Sequence, residues 1–298
     1  MALLVDAPKR KSKVIPLEQL REWVPSGSTV GIGGVHSQNA PMAAVREVIR
    51  AGTTGLTIIP TPSAGIAVDM LVGAGAVSTL HVSYVGLEFL GMAPNFKRAA
   101  EEGTIDIIEG DEAWIVYGMR AGAGDLPFMP MPPMYEGTDL PSVNPLLKRT
   151  LDPHTGREVY TIPPLKPDVC LIHAQVCDIY GNTVIRGLRR FEHVMAKASA
   201  TVVVTAERVV DGPLGEDPRV VNIASPQVDA VIEVPYGAHP TASPGDYLLD
   251  EDHLRLYAER SRAGDFDGYR AEFIDKPQDH IAYLEAIGLR RLLELRHR

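Results

Sequence analysis

The stretch Thr29–Gly52, TVGIGGVHSQNAPMAAVREVIRAG, constrains the fold of this chain more than any other. Val30 and Ile32, spaced by a glycine, read as a short buried strand. Two glycines end it. Pro41 then stands where a helix favours its first residue, and Gly52 where it favours its stop. A Gly33-Gly34 pair at a strand end lets main-chain N–H groups come close to a ligand, in a conformation that residues with side chains resist. Strand–Gly-Gly–helix units also serve as plain scaffolding, so the motif alone leaves a ligand role open.

The same alternation continues downstream. Leu56–Ile59, His81–Val85 and Thr104–Ile108 read as strands, with helical segments near Ala67–Val72 and Asn95–Glu102 between them. Asp111–Arg120 reads as the next helix, with Asp111 as its cap. Such a pattern predicts βαβ units and a mainly parallel sheet, an α/β fold. From Leu126 to Pro167 prolines crowd in (LPFMPMPPM, PSVNP, IPPLKPD). Proline lacks the donor that helix interiors and central strands need, so 126–167 is expected to be an irregular excursion with a small antiparallel element. Val169–Val176, the turn DIYGN and Thr183–Ile185 form a hairpin-like signal. Phe191–Ser199 reads as a helix, Ala200–Thr205 and Val228–Val234 as buried strands. From Glu251 to Arg296 the pattern is helical, broken near Gly264, Lys276–Pro277 and Gly288.

Charge narrows the function classes. The net charge of −9 argues against nucleic acid as a partner, because binding phosphates in series needs a basic face. The opening MALLVDAPKRKSK places its short apolar run before its basic residues, the reverse of a secretory signal. Apolar runs such as Ala200–Ala206 are far too short to span a membrane. Cys170 and Cys177 have neither CxxC nor zinc spacing and are expected to be buried thiols in a reducing cytoplasm. The P-loop, GxGxxG, HExxH and GxSxG patterns are all missing.

Four clusters carry the remaining chemistry. The first is Gly33-Gly34 with Ser37 and Asn39. The second is Ser83–Glu88, read at the carboxyl end of a strand, where α/β sheets place ligands. The third is Glu109-Gly110-Asp111-Glu112, opening a helix; three carboxylates so close repel one another, and a helix N-terminus favours the ionised form of Glu112. An acidic, capped helix start on the surface is the bland reading of the same residues. The fourth is Pro235–Pro240, a rigid loop after a strand.

Taken in order, GIGGVHSQNAPMAAVREVIRAG, SYVGLEF, LPFMP, VCLIHAQVCDIYGNT, PYGAHPTASPGDY and the closing Ala282–Gly288 segment resemble the α subunits of family I CoA-transferases, those acting on glutaconate in particular. The resemblance runs from about Leu17 to Leu295. It implies a single Rossmann-like domain over 1–298, with the 126–167 excursion and a helical end at 251–298. It also implies a β subunit of similar fold whose glutamate attacks the acyl-CoA thioester and carries covalent intermediates. This chain has no glutamate in the SENG or EAG context of such a nucleophile. The substrates implied are an acyl-CoA and a carboxylic acid. CoA arrives as part of the substrate, and neither metal nor prosthetic group is implied. Gly33 and Gly34 would shape the acyl pocket, with Val35, Ser37, Asn39, Tyr84, Glu88 and Glu109 as further substrate-binding candidates. Main-chain N–H groups would stabilise the thioester oxyanion.

Two departures from the resemblance bear on chemistry. Gln38, Asn39 and Ala40 stand where transferase α chains carry an arginine or lysine after the glycine turn. Together with Val35, Phe89, Leu90 and Met92, they point to a bulkier or less charged acyl chain. Glu112 stands where those chains are expected to carry glutamine. A glutamate there resembles the α subunit of steroid ring-opening CoA hydrolases of the same superfamily, and would make Glu112 a general base. The PYGAHP and HAQ segments resemble the transferases instead. Transferase, ring-opening hydrolase and a non-catalytic CoA-ester-binding paralogue are thus the three readings.

Overall fold

The computed structural model describes residues 10–188, 191–214 and 220–296. The reading of the opening segment falls in part on residues outside these, as does the very end of the helical stretch expected at 251–298. After a short helix α1 (Leu20–Trp23), the first half runs β1 (Thr29–Ile32), α2 (Met42–Arg50), β2 (Leu56–Pro60), α3 (Ile66–Gly73), β3 (Val77–Val82), α4 (Pro94–Glu102), β4 (Asp106–Glu109) and α5 (Glu112–Ala123). The excursion supplies β5 (Met129–Met131), α6 (Leu140–Val143), β6 (Lys148–Leu151) and β7 (Glu158–Ile162). Then come β8 (Val169–Asp178), β9 (Thr183–Val184), α7 (Glu192–Ala198), β10 (Thr201–Val210) and β11 (Ala230–Glu233). Helices α8 (Glu251–Arg262), α9 (Phe266–Arg270), α10 (His280–Ile287) and α11 (Leu289–Leu295) close the chain, with a π-helical turn over Ala271–Asp275.

Eight strands make one sheet in the order β11-β10-β8-β1-β2-β3-β4, with β9 paired on β8. Every pairing along that path is parallel, and only β9 runs against its neighbour. Helices cover both faces, which is why all ten residues of β8 are buried and why its sequence is a nearly unbroken apolar run. From β1 the chain adds strands outward on one side through β4, then returns to add β8, β10 and β11 on the other. Adjacent strands therefore lead their connections away from each other at β1 and β8, and a crevice opens above their carboxyl ends.

Local chemistry sets the element ends. Asp111 accepts from Trp114 N at 2.8 Å and caps α5, as its sequence position predicts. The 126–167 segment forms an antiparallel three-stranded sheet, order β5-β7-β6, so the antiparallel element expected there is present. In the DIYGN turn the Asp178 carboxylate accepts from Tyr180 N at 3.0 Å and Asn182 N at 2.9 Å, which locks the β8–β9 hairpin. The three helix breaks expected after Glu251 also occur.

One strand differs. The stretch expected as His81–Val85 is β3, Val77–Val82, which starts earlier and stops earlier. Polar Ser78 and Thr79 hide its onset, yet they lie in register within a parallel sheet, Thr79 opposite Asp106. Beyond Val82 the chain leaves the sheet, and Val85 makes only an isolated bridge to Ala64. Likewise β4 begins at Asp106 rather than Thr104, because Thr104 still closes the end of α4 through its N–H to Ala99 O at 3.0 Å. Strand β11 begins at Ala230, since Ser225–Gln227 form a 3-10 turn ahead of it. Among the described residues no helix is long and apolar enough to cross a membrane.

Candidate functional site

The glycine turn sits at the mouth of the crevice. Gly33 N–H donates to Leu171 O at 2.9 Å, continuing the β1–β8 ladder by one residue. A Cβ at Gly33 would stand 3.2 Å from that same oxygen. Gly34 has φ +86, and a Cβ there would lie 2.8 Å from the Ala40 backbone, so only glycine fits. Its carbonyl accepts from the Thr61 hydroxyl. Its N–H has no acceptor among the described residues, although the residue is buried. Buried N–H groups are nearly always paired, so an orphaned one beside a crevice is a donor awaiting an acceptor.

Helix α3 points its N-terminus at this turn. A Cβ at Gly65, its N-cap, would meet His36 O at 2.6 Å, which measures how closely the two backbones approach. A cavity of about 10 Å³ remains between them, walled by Gly33, Gly34, His36, Thr61, Ser63 and Ala67. The partial positive charge of the helix end and the free Gly34 donor both favour a developing negative oxygen in that cleft.

Side chains from four strand ends surround it. Ser37 donates to Glu88 Oε2 at 2.8 Å, and His36 Nδ1 lies 3.9 Å from the other Glu88 oxygen. The His36 and Tyr84 rings meet edge-on at 5.9 Å. His36, Asn39 and Glu88 all hold positive φ, +50, +54 and +50. Three such non-glycine residues in one loop pair store strain that the surrounding packing has to hold. Ser63 donates to Glu112 Oε1 at 3.3 Å, which brings the start of α5 to the same rim.

The crevice therefore gathers Gly33, Gly34, Ser37, Tyr84, Glu88 and Glu112. Val35 is buried within the turn, where its N–H and the Gln38 N–H each reach the other's carbonyl. Asn39 points inward. Its Oδ1 accepts from Gln175 Nε2 at 2.7 Å and its amide donates to Arg186 O at 2.9 Å, so it braces the loop. Glu109 is exposed at the end of β4, its carbonyl held by Asn144 at 2.7 Å, while Asp111 is committed to capping and to the Tyr135 hydroxyl. Phe89 and Met92 are exposed, 51% and 58%, with Phe89 under the Arg255 guanidinium. His36, Thr61 and Ser63 are part of this rim and escape a reading of the sequence. His36 lies inside the glycine-turn segment, but a lone histidine gives no sign of the backbone twist that aims it. Thr61 and Ser63 follow β2 with no motif at all.

Two other features act structurally. Cys170 and Cys177 are buried, and burial pushes both thiols up to about 12, so neither offers a thiolate. The Pro235–Pro240 loop is sealed rather than open. His239 is fully buried between the Tyr283 hydroxyl at 2.7 Å and Asp250 at 3.0 Å.

Known proteins resemble this chain over most of its length. Residues 17–234 match the family described as coenzyme A transferase. A glutaconate CoA-transferase subunit of Acidaminococcus fermentans is 31% identical, over 96% of this chain and 95% of its own. The crystal structure of glutaconate coenzyme A-transferase from that organism superposes with a TM-score of 0.91, covering 96% of each chain at 30% identity. A 3-oxoadipate CoA-transferase subunit of Pseudomonas knackmussii is 34% identical, over 91% of this chain and 96% of its own. The cholesterol ring-cleaving hydrolase IpdA subunit of Rhodococcus jostii is 31% identical, over 85% and 88%. The chain also spans 65% of the length of a protein of Archaeoglobus fulgidus to which it is 32% identical. Matched over most of its length by the family model and by full-length relatives, this chain belongs to the coenzyme A transferase family.

Proposed function

We propose that the protein is the α subunit of a heteromeric CoA-transferase that moves CoA from an acyl-CoA to a carboxylic acid, with the nucleophilic glutamate on a β subunit. The observation that carries this reading is the Gly34 N–H, unpaired among the described residues beside the N-terminus of α3, with no thiolate available nearby. The crevice can stabilise charge on a thioester oxygen, while its own carboxylates, Glu88 and Glu112, accept hydrogen bonds from Ser37 and Ser63. The β-subunit carboxylate adds to the thioester carbonyl, whose oxygen turns toward Gly34. CoA thiolate leaves and an acyl-glutamyl anhydride forms. The thiolate then attacks the glutamyl carbonyl and releases the first acid, leaving a glutamyl-CoA thioester. The second acid reverses the two steps and departs as its CoA ester.

A second reading is favoured by Glu112, held at the rim by Ser63. As a general base it would activate water for hydrolytic cleavage of a cyclic keto-acyl-CoA, a ring-cleaving hydrolysis of the kind for which the Rhodococcus relative is named. Intact mass of the co-expressed α and β chains after acyl-CoA and borohydride separates the readings. An acyl-CoA-dependent mass change on the β chain supports the transferase. Its absence, with water-dependent consumption of a cyclic keto-acyl-CoA, supports the hydrolase. Glu112→Gln is expected to leave the transferase within a few-fold of its starting rate, whereas a hydrolase would lose about a hundredfold or more.

A further inference from the structure

A second cleft opens on the far side of the glycine turn, above the carboxyl ends of β8 and β10. Its volume is about 480 Å³, within the range of small-molecule sites. Gln175, whose amide braces Asn39, forms a wall between it and the crevice described above. Three arginines line it from distant parts of the chain: Arg186 after β9, Arg208 on β10 and Arg296 at the end of α11.

Charge in the cleft is only partly compensated among the described residues. The Arg186 and Arg208 guanidiniums make no hydrogen bond or ion pair with any of them. Arg296 has only a neutral partner, donating from Nε to the Tyr236 hydroxyl at 3.0 Å. Two carboxylates also line the cleft; Asp246 offsets part of the Arg186 charge, and Glu207 is spent elsewhere. Glu207 is turned inward: Oε1 lies 2.9 Å from His173 Nε2 and accepts from Gly237 N at 3.1 Å and Tyr247 OH at 2.6 Å, while Oε2 accepts from Tyr236 N at 2.6 Å. Asp246 accepts from Ser243 at 3.3 Å, and burial raises its carboxyl. Solvated arginines are common on surfaces. Three from separate segments converging on one cleft of a chain with net charge −9 are harder to read as scenery. A guanidinium presents a planar fork of donors matched to carboxylate and phosphate oxygens, which a hydrated ammonium does not.

We infer that the cleft formed by Arg186, Arg208 and Arg296 binds a compact oxyanion carrying two negative charges, a phosphate monoester or a small dicarboxylate, separately from the acyl crevice. Titration calorimetry of the full chain with inorganic phosphate, in a zwitterionic buffer at low and at physiological salt, tests this. Saturable one-to-one binding is expected at both. Arg208→Gln is expected to weaken it at least tenfold, and Arg290→Gln on the exposed side of α11 to leave it unchanged. Arg208 has no partner among the described residues whose loss would unfold the chain. Malonate titrated against bound phosphate then tells the two sources apart: the tighter of the two names the class, and either supports the site. Heat that never saturates overturns the inference, as does a dissociation constant unmoved by Arg208→Gln or weakened equally by Arg290→Gln.

Discussion

Two histidine–carboxylate pairs flank the glycine-turn helix, and they behave differently. Ahead of α2, His36 and Glu88 face each other at 3.9 Å with side chains about one-third exposed, on backbones twisted to positive φ. Beside it, His239 and Asp250 lie 3.0 Å apart with side chains 1% and 2% exposed. The second pair is enclosed: Tyr283 holds the other ring nitrogen, Arg291 donates to Asp250 at 2.6 Å, and Arg46 stacks 3.6 Å above the Tyr283 ring while donating to His239 O. A Tyr–His–Asp chain resembles a proton relay, but here nothing can reach it. Proximity of a histidine to a carboxylate does not make a reaction centre; access and an unspent donor do.

The comparison can be broken most strongly with acid. Burial lowers His81 to about 4 and His253 and His280 to about 3, so all three stay neutral in the folded chain while an unfolded chain would protonate them near 6.5. The unfolded state therefore binds more protons, and stability falls as pH drops from 6.5 toward 3, by about 2 kcal/mol per histidine at pH 5. Asp69, raised by burial to about 6, works the other way between pH 6 and 4 and offsets less than one of them. Urea melts at pH 7 and pH 5 are expected to differ by about 4 kcal/mol. Equal midpoints would mean that these histidines are solvated.

Asp250→Ala comes next. It leaves His239 and Arg291 without their shared acceptor, and urea unfolding is expected to show a loss of about 3 kcal/mol. Gly34→Ala tests the open end. The φ of +86 and the clash with Ala40 are expected to cost about 2 kcal/mol, and activity of the assembled enzyme is expected to fall more than tenfold because the donor is displaced. Smallest is Ser37→Ala, which removes one half-exposed hydrogen bond to Glu88 and is expected to cost about 1 kcal/mol or less by the same melt. A larger loss would show that the Glu88 loop is as tightly held as the sealed pair.

Much of the scaffold was legible because period and punctuation agree in it. The β1–turn–α2 unit, the Asp111 cap and the DIYGN hairpin each depend on residues a few positions apart. The site was legible only in part. Gly33, Gly34, Glu88 and Glu112 lie at strand ends that local patterns locate. Gln175 reaching Asn39, or Ser63 reaching Glu112, depends on strands brought together across the sheet, and no local pattern encodes that. Polar Ser78 and Thr79 masked the start of β3 for the same reason: a parallel neighbour, not their own character, makes them strand.

The bracing of the glycine turn has a consequence during protein synthesis. Asn39 N–H bonds Ala242 O, and Ala43 N–H bonds Gly237 O, each across about 200 residues of chain. A nascent polypeptide can close its first strand–helix units while the ribosome is still far upstream of those partners, and contacts so distant in sequence form late. The turn that shapes the crevice is thus fully fastened only when the carboxy-terminal third has emerged. A message broken before Gly237 would yield a chain whose early strands are present but whose Gly34 loop lacks its carboxy-terminal braces.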